Sequence, residues 1–576
     1  MIGRVDGEGG RRVQWGWGST SAAEDRLPLK GWAGPSWVGG MGKQFYITTA
    51  IDYTNGAPHI GHAYEKILAD TMARFKRLAG SEVYFLSGLD QHGQKVQLSA
   101  EKAGVTPEVF VREVSDRFIA LWDRLNVRPD GWVETTDVRH KRVVQDMLQQ
   151  LFDEGQIYKK SLRGWYSVRQ EQFLNEKDRE ADGSWGGQWG LVEEREEENY
   201  YFRLSDHTAW LRGYLETHPD MIYPANRQTQ LLNAVKDSEG VDLCISRPKS
   251  RLTWGIPLPF DDDYVTFVWF DALTNYASFA GFRDREPGVS GLPRWEDLWP
   301  CDAHVIGKDI LIPAHGIYWP IMLHACGVPD EQMPKILVHG WWNMKGKKVS
   351  KSEKIEDDSV VKVIADLVDP NAIADVVGSD GLRYFLLADI ATGGDSDISE
   401  ERILVRYNKD LADILGNLLN RTLNMARKYL GGTLVATTHD SELHAGLREA
   451  VVALPGKALG HMKTWQIHQV LADIIDGARL ANEFVDKTAP FKLAKDPANA
   501  DAVASIMRHV AEAMAHFSVM LSPAMPETAA RIQGQLGWVP PVGLTLGDLR
   551  WGMLPDGHVL GEPQPLFPKV QVAAAG

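Results

Sequence analysis

The sequence predicts an α/β protein: a Rossmann-like parallel-sheet domain, split by an inserted domain and followed by an α-helical bundle. Three observations predict it. Strand, loop, helix and strand patterns alternate from Phe45 to about Val133 and resume at Tyr264–Phe270 and His304–Ile306, which is the alternation that builds a parallel sheet. Between about Ile157 and Val241 this text gives way to Gly- and Trp-rich turns (DGSWGGQWG), an acidic run (EEREEE) and short aromatic strands. Beyond Leu382 the apolar residues Ile403, Tyr407, Leu411, Ile414, Leu418, Met425 and Tyr429 recur at steps of three, four or seven, the mark of a long amphipathic helix.

Taken in order, residues 1–42 are rich in Gly, Ser and Trp without helical or strand period and are expected to form a flexible extension. Residues 43–156 give the first half of the α/β domain, with a strand over Gln44–Thr49, a turn-rich loop, and a helix beginning near His59. Residues 157–245 form the inserted domain, residues 246–345 the second half of the α/β domain, and 346–400 a lysine-rich loop with its linking region. Residues 401–576 form the helical domain, closed by a Pro-rich tail (GEPQPLFPKV) expected to pack back over the surface.

Composition narrows the class. With 576 residues, 44% apolar and 24% charged, the chain has the composition of a soluble multidomain globular protein rather than a disordered or rod-like one. No apolar run approaches the length of about eighteen residues needed to span a membrane, and the first forty residues lack a hydrophobic signal core, so a cytoplasmic location is expected. Cys244, Cys301 and Cys326 are unequally spaced and are expected to be reduced, buried small hydrophobes. The net charge of −15 repels a polyanion, so a nucleic-acid partner must be met by local basic patches. Two runs offer such patches, Lys345–Lys354 and Glu401–Leu430, although charge runs of this kind are also ordinary solvated faces.

Two motifs carry chemistry. In TAIDYTNGAPHIGH (Thr49–His62) a turn-rich loop leads into a helix whose first turn holds His59 and His62 on one face. Pro58 suits the first helical position, Gly61 leaves room for an approaching group, and the exposed first-turn amides favour an anion. Two imidazole donors there could hold a triphosphate. By residue type alone such a pair also occurs without function, and a metal reading would need His92 as a third ligand. Neither of the common Gly-rich phosphate loops is present. Far along the chain KVSKS (Lys348–Ser352) sets two lysines and two hydroxyls in a polar loop, able to follow phosphate charge during transfer.

H-I-G-H behind a strand, with K-V-S-K-S almost three hundred residues later across an insertion, resembles the class I aminoacyl-tRNA synthetases, and among them the methionyl-tRNA synthetase family. PHIGHAY, RPKSRLTWGIPLP (Arg247–Pro259), VTFVWFDALTNY (Val265–Tyr276), HVIGKDI (His304–Ile310) and LGNLLNR (Leu415–Arg421) carry the likeness, which runs from about Lys43 to Lys569. It implies a catalytic domain split by a connective-peptide knuckle, with an anticodon-binding helical domain. It also implies an enzyme that activates L-methionine with ATP and Mg2+ and transfers it to initiator and elongator methionine tRNA.

Carried over residue by residue, the resemblance assigns His59, Gly61, His62, Asp309, Lys348, Ser350 and Lys351 to ATP, with His59, His62, Lys348 and Lys351 as the catalytic set. It assigns Ile51, Tyr53, Asp90, Trp269, Ala272, Tyr276 and His315 to methionine, with Asp90 holding the ammonium group. Aromatic rings and a small Ala272 suit a flexible thioether, while by residue type alone plain core packing is the readier reading of Trp269 and Tyr276, and a turn residue fits Asp90 as well. Asn417, Arg421, Pro490 and Phe491 match anticodon-reading positions, Phe491 standing where the family usually carries Trp and giving a smaller stacking face.

The chain also departs from the family. Where a zinc-knuckle C-x-x-C pair aligns, it reads Ser167-Val168-Arg169-Gln170, so no structural zinc is expected. Val349 replaces Met, about a dozen residues are added after Ser352, and one is added between Lys308 and Trp319, which shifts His315 relative to Asp309. No appended C-terminal module is read after Pro568, and a monomer is expected. The rival readings are a class I synthetase of other specificity, a tRNA-binding paralogue without catalysis, and a metal-dependent hydrolase using His59, His62 and His92.

Overall fold

The structure is a computed structural model and describes residues 43–167, 172–174, 176–180, 182–237, 240–344, 347–348 and 364–570. The extension 1–42, Val349–Ser352 and the residues added after them up to 363 lie outside the described residues.

A seven-stranded sheet organises the α/β part. Its order is Asp52–Tyr53, Val83–Asp90, Phe45–Thr49, Ala303–Gly307, Ile336–His339 and Ile222–Tyr223, with Gly131–Glu134 also paired to Val83–Asp90. These pairings are parallel. Side chains alternate across the pleat: Ile47, Phe85, Val305 and Leu337 enter one buried cluster, while Tyr46, Tyr84, Leu86, Ile306 and Val338 enter another on the opposite face. The first cluster is continuous with the helical bundle, and the second covers the inserted region.

The inserted segment forms an antiparallel sheet in the order Gln172–Leu174, Ile157–Ser167, Val192–Phe202 and Leu243–Cys244. In its long hairpin the acidic run lies opposite Ser161–Tyr166, with Arg163 facing Glu196 in register. The same interval also supplies Ile222–Tyr223 to the edge of the main sheet.

The predicted long helix forms as three consecutive stretches, Glu400–Arg406, Tyr407–Gly416 and Asn417–Leu430, the middle one with π-helical bonding. That wider turn shifts the apolar stripe by a residue, so Leu415, Leu419 and Leu423 join Ile403, Leu411 and Leu418 in the core. Ile467–Thr488 and Ala500–Leu521 pack against it, and Pro526–Leu536 packs on Ala500–Leu521. The tail returns as expected: His558–Val559 pairs with Thr433–Leu434, and the Tyr407 hydroxyl donates to the Pro568 carbonyl at 3.0 Å.

Cys301 and Cys326 are buried, whereas Cys244 is only half-buried. Instead of acting as a simple hydrophobe, its sulfur accepts a hydrogen bond from Arg247 Nη1 at 3.1 Å.

Candidate active site

Strand Phe45–Thr49 has its chain neighbours on opposite sides, Val83–Asp90 on one and Ala303–Gly307 on the other. The carboxyl edge at such a switch point is where open α/β sheets bind ligands. The loops leaving this edge carry Ile51, Tyr53, His59, Asp90, Asp309 and His339.

His59 is the N-cap of helix Ile60–Leu78, so Pro58 precedes the cap instead of opening the helix. His59 Nδ1 accepts the Gly61 amide at 3.1 Å, and His62 Nδ1 accepts the His59 amide at 3.1 Å. The two rings stack at 3.7 Å. Because each Nδ1 accepts a backbone proton, each neutral ring keeps its own proton on Nε2 as a donor. This corrects the expectation of exposed first-turn amides: the Ile60 amide donates to the Val368 carbonyl and the Gly61 amide to His59. An anion here is met by imidazole N–H groups and the helix dipole. Gly61 makes room for the His59 ring itself, since a Cβ there would stand 3.0 Å from its Cε1.

Tyr53 and Asp90 are direct partners in the parallel ladder, and the Asp90 carbonyl accepts both the amide and the hydroxyl of Thr54. On helix Trp269–Ser278, Trp269, Ala272 and Tyr276 share one face by their spacing. The Tyr276 hydroxyl lies 2.8 Å from His315 Nε2, while His315 Nδ1 faces the Ile310 carbonyl at 2.9 Å. His315 therefore donates from Nδ1 and accepts the tyrosyl proton. Burial pushes its pKa down to about 4, consistent with a neutral ring. Trp269 stands edge-on to it at 6.5 Å, and Ile51 packs on the buried cluster that contains Tyr276. The extra residue between Lys308 and Trp319 falls in a segment whose helical bonding is broken at Ile312, which is extended, before the His315 amide reaches back five residues to the Ile310 carbonyl.

Asp309 follows strand Ala303–Gly307, and its Oδ1 accepts the Trp341 indole N–H at 3.1 Å. Gly307 leaves this oxygen its place, since a Cβ there would stand 2.8 Å from it and the Asp309 side chain would have to move. Lys308 pairs with Asp395 at 2.5 Å, and Asp395 also accepts the Trp341 amide, which ties this turn to the end of strand Ile336–His339. Lys348 is described only as the strand partner of Asn343; its side chain, Ser350 and Lys351 lie outside the described residues. The helical residues lie elsewhere in the fold. Asn417 is exposed, Arg421 donates to Asp486 at 2.7 Å, Pro490 is buried, and Phe491 is 44% exposed.

Two buried polar clusters lie beneath this edge that no sequence pattern marks. Lys66 donates to Asp52, Glu65 and the Ala50 carbonyl, and the other oxygen of Glu65 lies 3.1 Å from His339 Nε2. Burial alone would lower the Lys66 pKa, but the Asp52 and Glu65 carboxylates hold it above its ordinary value. His92, expected as a possible metal ligand beside His59 and His62, instead bonds Asp271, which also receives His140. Among the described residues no His, Cys, Asp and Glu group is arranged to hold a metal. In the inserted sheet Ser167 donates to the Trp189 carbonyl at 2.5 Å, and Arg179 lies 4.1 Å over Trp185; Val168–Gln170 lie outside the described residues.

A parallel sheet of this order, with a histidine-capped helix at its switch point and a helical bundle behind it, defines a class I aminoacyl-tRNA synthetase. The family model of tRNA synthetases class I (M) matches residues 45–184 and 190–423. A methionine--tRNA ligase of Caldanaerobacter subterraneus subsp. tengcongensis is 37% identical over 532 residues, spanning 92% of this chain and 80% of the relative. One of Deinococcus radiodurans is 37% identical over 538 residues, spanning 92% and 75%. Among solved structures, Mycobacterium tuberculosis methionyl-tRNA synthetase in complex with methionyl-adenylate superposes with a TM-score of 0.81 at 35% identity, covering 91% of this chain and all of that one. The apo form of that enzyme gives a TM-score of 0.77 at 33% identity, covering 92% and 98%. The chain belongs to the methionyl-tRNA synthetase family.

Proposed function

We infer that this chain works as a methionine–tRNA ligase, activating L-methionine with ATP and then charging methionine tRNA. In the first step the methionine carboxylate attacks the α-phosphorus, a carboxyl–phosphate bond forms and pyrophosphate leaves. In the second, a ribose hydroxyl at the tRNA 3′ end attacks the mixed anhydride, the ester forms and AMP leaves. No covalent enzyme intermediate is required, so the protein contributes positioning and charge stabilisation.

What supports this reading is the histidine-capped helix that follows strand Phe45–Thr49, together with the Tyr53–Asp90 ladder pair and the Trp269–Tyr276–His315 group. His59 and His62 are assigned to the phosphates as neutral Nε2–H donors, Gly61 to their close approach and Asp309 to the ribose. Lys348, Ser350 and Lys351 are assigned to the leaving pyrophosphate. Asp90 takes the methionine ammonium, and Ile51, Tyr53, Trp269, Ala272, Tyr276 and His315 take the side chain. A neutral His315 with a buried tyrosine suits an uncharged thioether better than a charged side chain would. Asn417, Arg421, Pro490 and Phe491 are assigned to the anticodon of initiator and elongator tRNA.

Magnesium enters with ATP as part of the substrate. The inserted knuckle is assigned no zinc, held by ring packing and hydrogen bonds such as that of Ser167; stoichiometric zinc by elemental analysis would overturn this. The reading extends to a monomeric, cytoplasmic enzyme with the domain intervals given above.

ATP–pyrophosphate exchange measured with a panel of amino acids tests the function. Methionine alone should drive exchange; exchange driven by another amino acid, or by none, overturns the assignment. For the helical part, a transcript with an altered anticodon should charge far more slowly than one carrying CAU.

A further inference from the structure

Asp271 lies on helix Trp269–Ser278 between Trp269 and Ala272, and is almost fully buried. Each of its oxygens takes one imidazole. His92 Nδ1 lies 2.7 Å from Oδ2, and His140 Nε2 lies 2.8 Å from Oδ1. His92 comes from the loop two residues beyond Asp90, 179 positions away in the chain. His140 comes from helix Val138–Asp153, and its Nδ1 lies 2.8 Å from the Ser278 hydroxyl at the far end of Asp271's own helix. The two histidines therefore differ in what they join. His140 anchors the helix to its neighbour, whereas His92 joins the helix to the loop that carries Asp90. The same loop is clamped from a second side, since the Trp254 indole donates to the Gln91 carbonyl and the Gly93 amide donates to the Trp254 carbonyl.

Burial would raise the Asp271 pKa, but His92 and His140 hold it well below the ordinary carboxylate range. An ionised, doubly bonded carboxylate of this kind has a single orientation, which makes it a rigid connector rather than a flexible one.

We propose that Asp271 and His92 form a positioning pair for methionine, fixing the distance between the ammonium-binding Asp90 and the side-chain pocket of Trp269, Ala272 and Tyr276. This rests on the functional reading above. Neither residue touches the reacting atoms; the pair acts by holding two substrate-binding segments in one geometry. Its loss should weaken methionine binding equally in the ground and transition states, so KM for methionine changes and kcat does not.

The test is steady-state ATP–pyrophosphate exchange by the full chain, with melting temperature recorded for each variant. Asp271→Asn and His92→Gln should each raise KM for methionine about ten- to hundredfold, the range spanned by loss of a charge-assisted hydrogen bond. KM for ATP and kcat should stay within about threefold, as expected when only uniform substrate binding is lost. His140→Gln should lower the melting temperature while leaving the ratio of the two KM values unchanged. If Asp271→Asn does not fold, His92→Gln and His140→Gln still decide the matter. The proposal is overturned if His92→Gln leaves the methionine KM unchanged, raises both KM values alike, or is matched by His140→Gln. Absence of methionine-dependent exchange in the unsubstituted chain would instead overturn the functional reading itself.

Discussion

His59 and His62 each commit one ring nitrogen to the backbone and keep the other as a proton donor. Replacing His62 with alanine removes both halves of that arrangement: the proposed phosphate donor is lost and the His59 amide loses its acceptor. His62→Ala is expected to slow methionine-dependent exchange about a hundredfold, as loss of one preorganised donor does elsewhere, with little change in KM for methionine. The lost cap should cost about 1 kcal/mol of stability, and unchanged exchange turnover would contradict the phosphate role. At the other end of the chain Phe491 offers an exposed ring with less stacking area than an indole. Phe491→Trp should tighten tRNA binding by up to about 1 kcal/mol, a fraction of one base–aromatic stack; unchanged tRNA affinity in a filter-binding titration would contradict a stacking role. The site was legible where its residues are contiguous, as in His59–His62, or share one helix face, as in Trp269, Ala272 and Tyr276. It was not legible at Asp271, because its partners His92 and His140 come from other parts of the chain and the composition of WFDALTNY gives no sign that its Asp is buried.

Elements show the same division between local and distant information. The alternating strands and the helix Ile60–Leu78 follow from local pattern, but the π-helical stretches do not, because a stripe of apolar residues reads alike through a tightened or widened turn. The additional residue before Trp319 falls where the helical bonding is broken at the extended Ile312, and His315 stands 2.8 Å from the Tyr276 hydroxyl. Helix Ala500–Leu521 carries a second consequence. His509 and His516 donate from Nδ1 to carbonyls one turn back, and the His509 ring meets His444 at 4.6 Å. Burial lowers the pKa of all three, that of His444 to about 4. Their folded forms are neutral, while the unfolded chain takes up protons below about pH 6.5. Stability is therefore fully retained above that pH and falls as the pH drops below it, for His444 over the window down to about pH 4 at up to about 1.4 kcal/mol per pH unit, with His509 and His516 acting in the same direction. Carboxylates with lowered pKa, such as Asp70 and Glu65, keep their contribution until more acidic conditions. Urea denaturation at pH 7.5, 6 and 5 should show this loss, and a flat profile over that window would refute it.

Across the whole molecule the catalytic and helical parts are joined by a guanidinium. Arg383, on helix Pro370–Ala388, is 0% exposed. It donates to Asp70 on the histidine-capped helix at 2.7 Å, to the Leu125 carbonyl at 3.1 Å, and to the Ala524 and Pro523 carbonyls at 2.7 and 3.0 Å. Its planar fork reaches three segments at once, a geometry that the single ammonium of lysine cannot reproduce. Asp70 accepts Arg74 and the Arg128 amide as well, so the bundle is keyed to the helix that begins at the active site. The anticodon candidates depend on that keying. Arg421 pairs with the exposed Asp486, and a surface pair worth under about 1 kcal/mol is readily exchanged for a phosphate or base. Arg383→Lys keeps the charge but abandons two or more of these acceptors, and is expected to lower stability by roughly 3 kcal/mol, near the cost of breaking a buried pair. Methionine-dependent exchange, whose proposed residues all lie outside the helical part, should persist within about twofold at saturating substrates, whereas tRNA charging should fall about tenfold, since a misplacement on the order of 1 Å is enough for such losses. Equal losses in exchange and charging would show that Arg383 stabilises the fold without keying the two parts together.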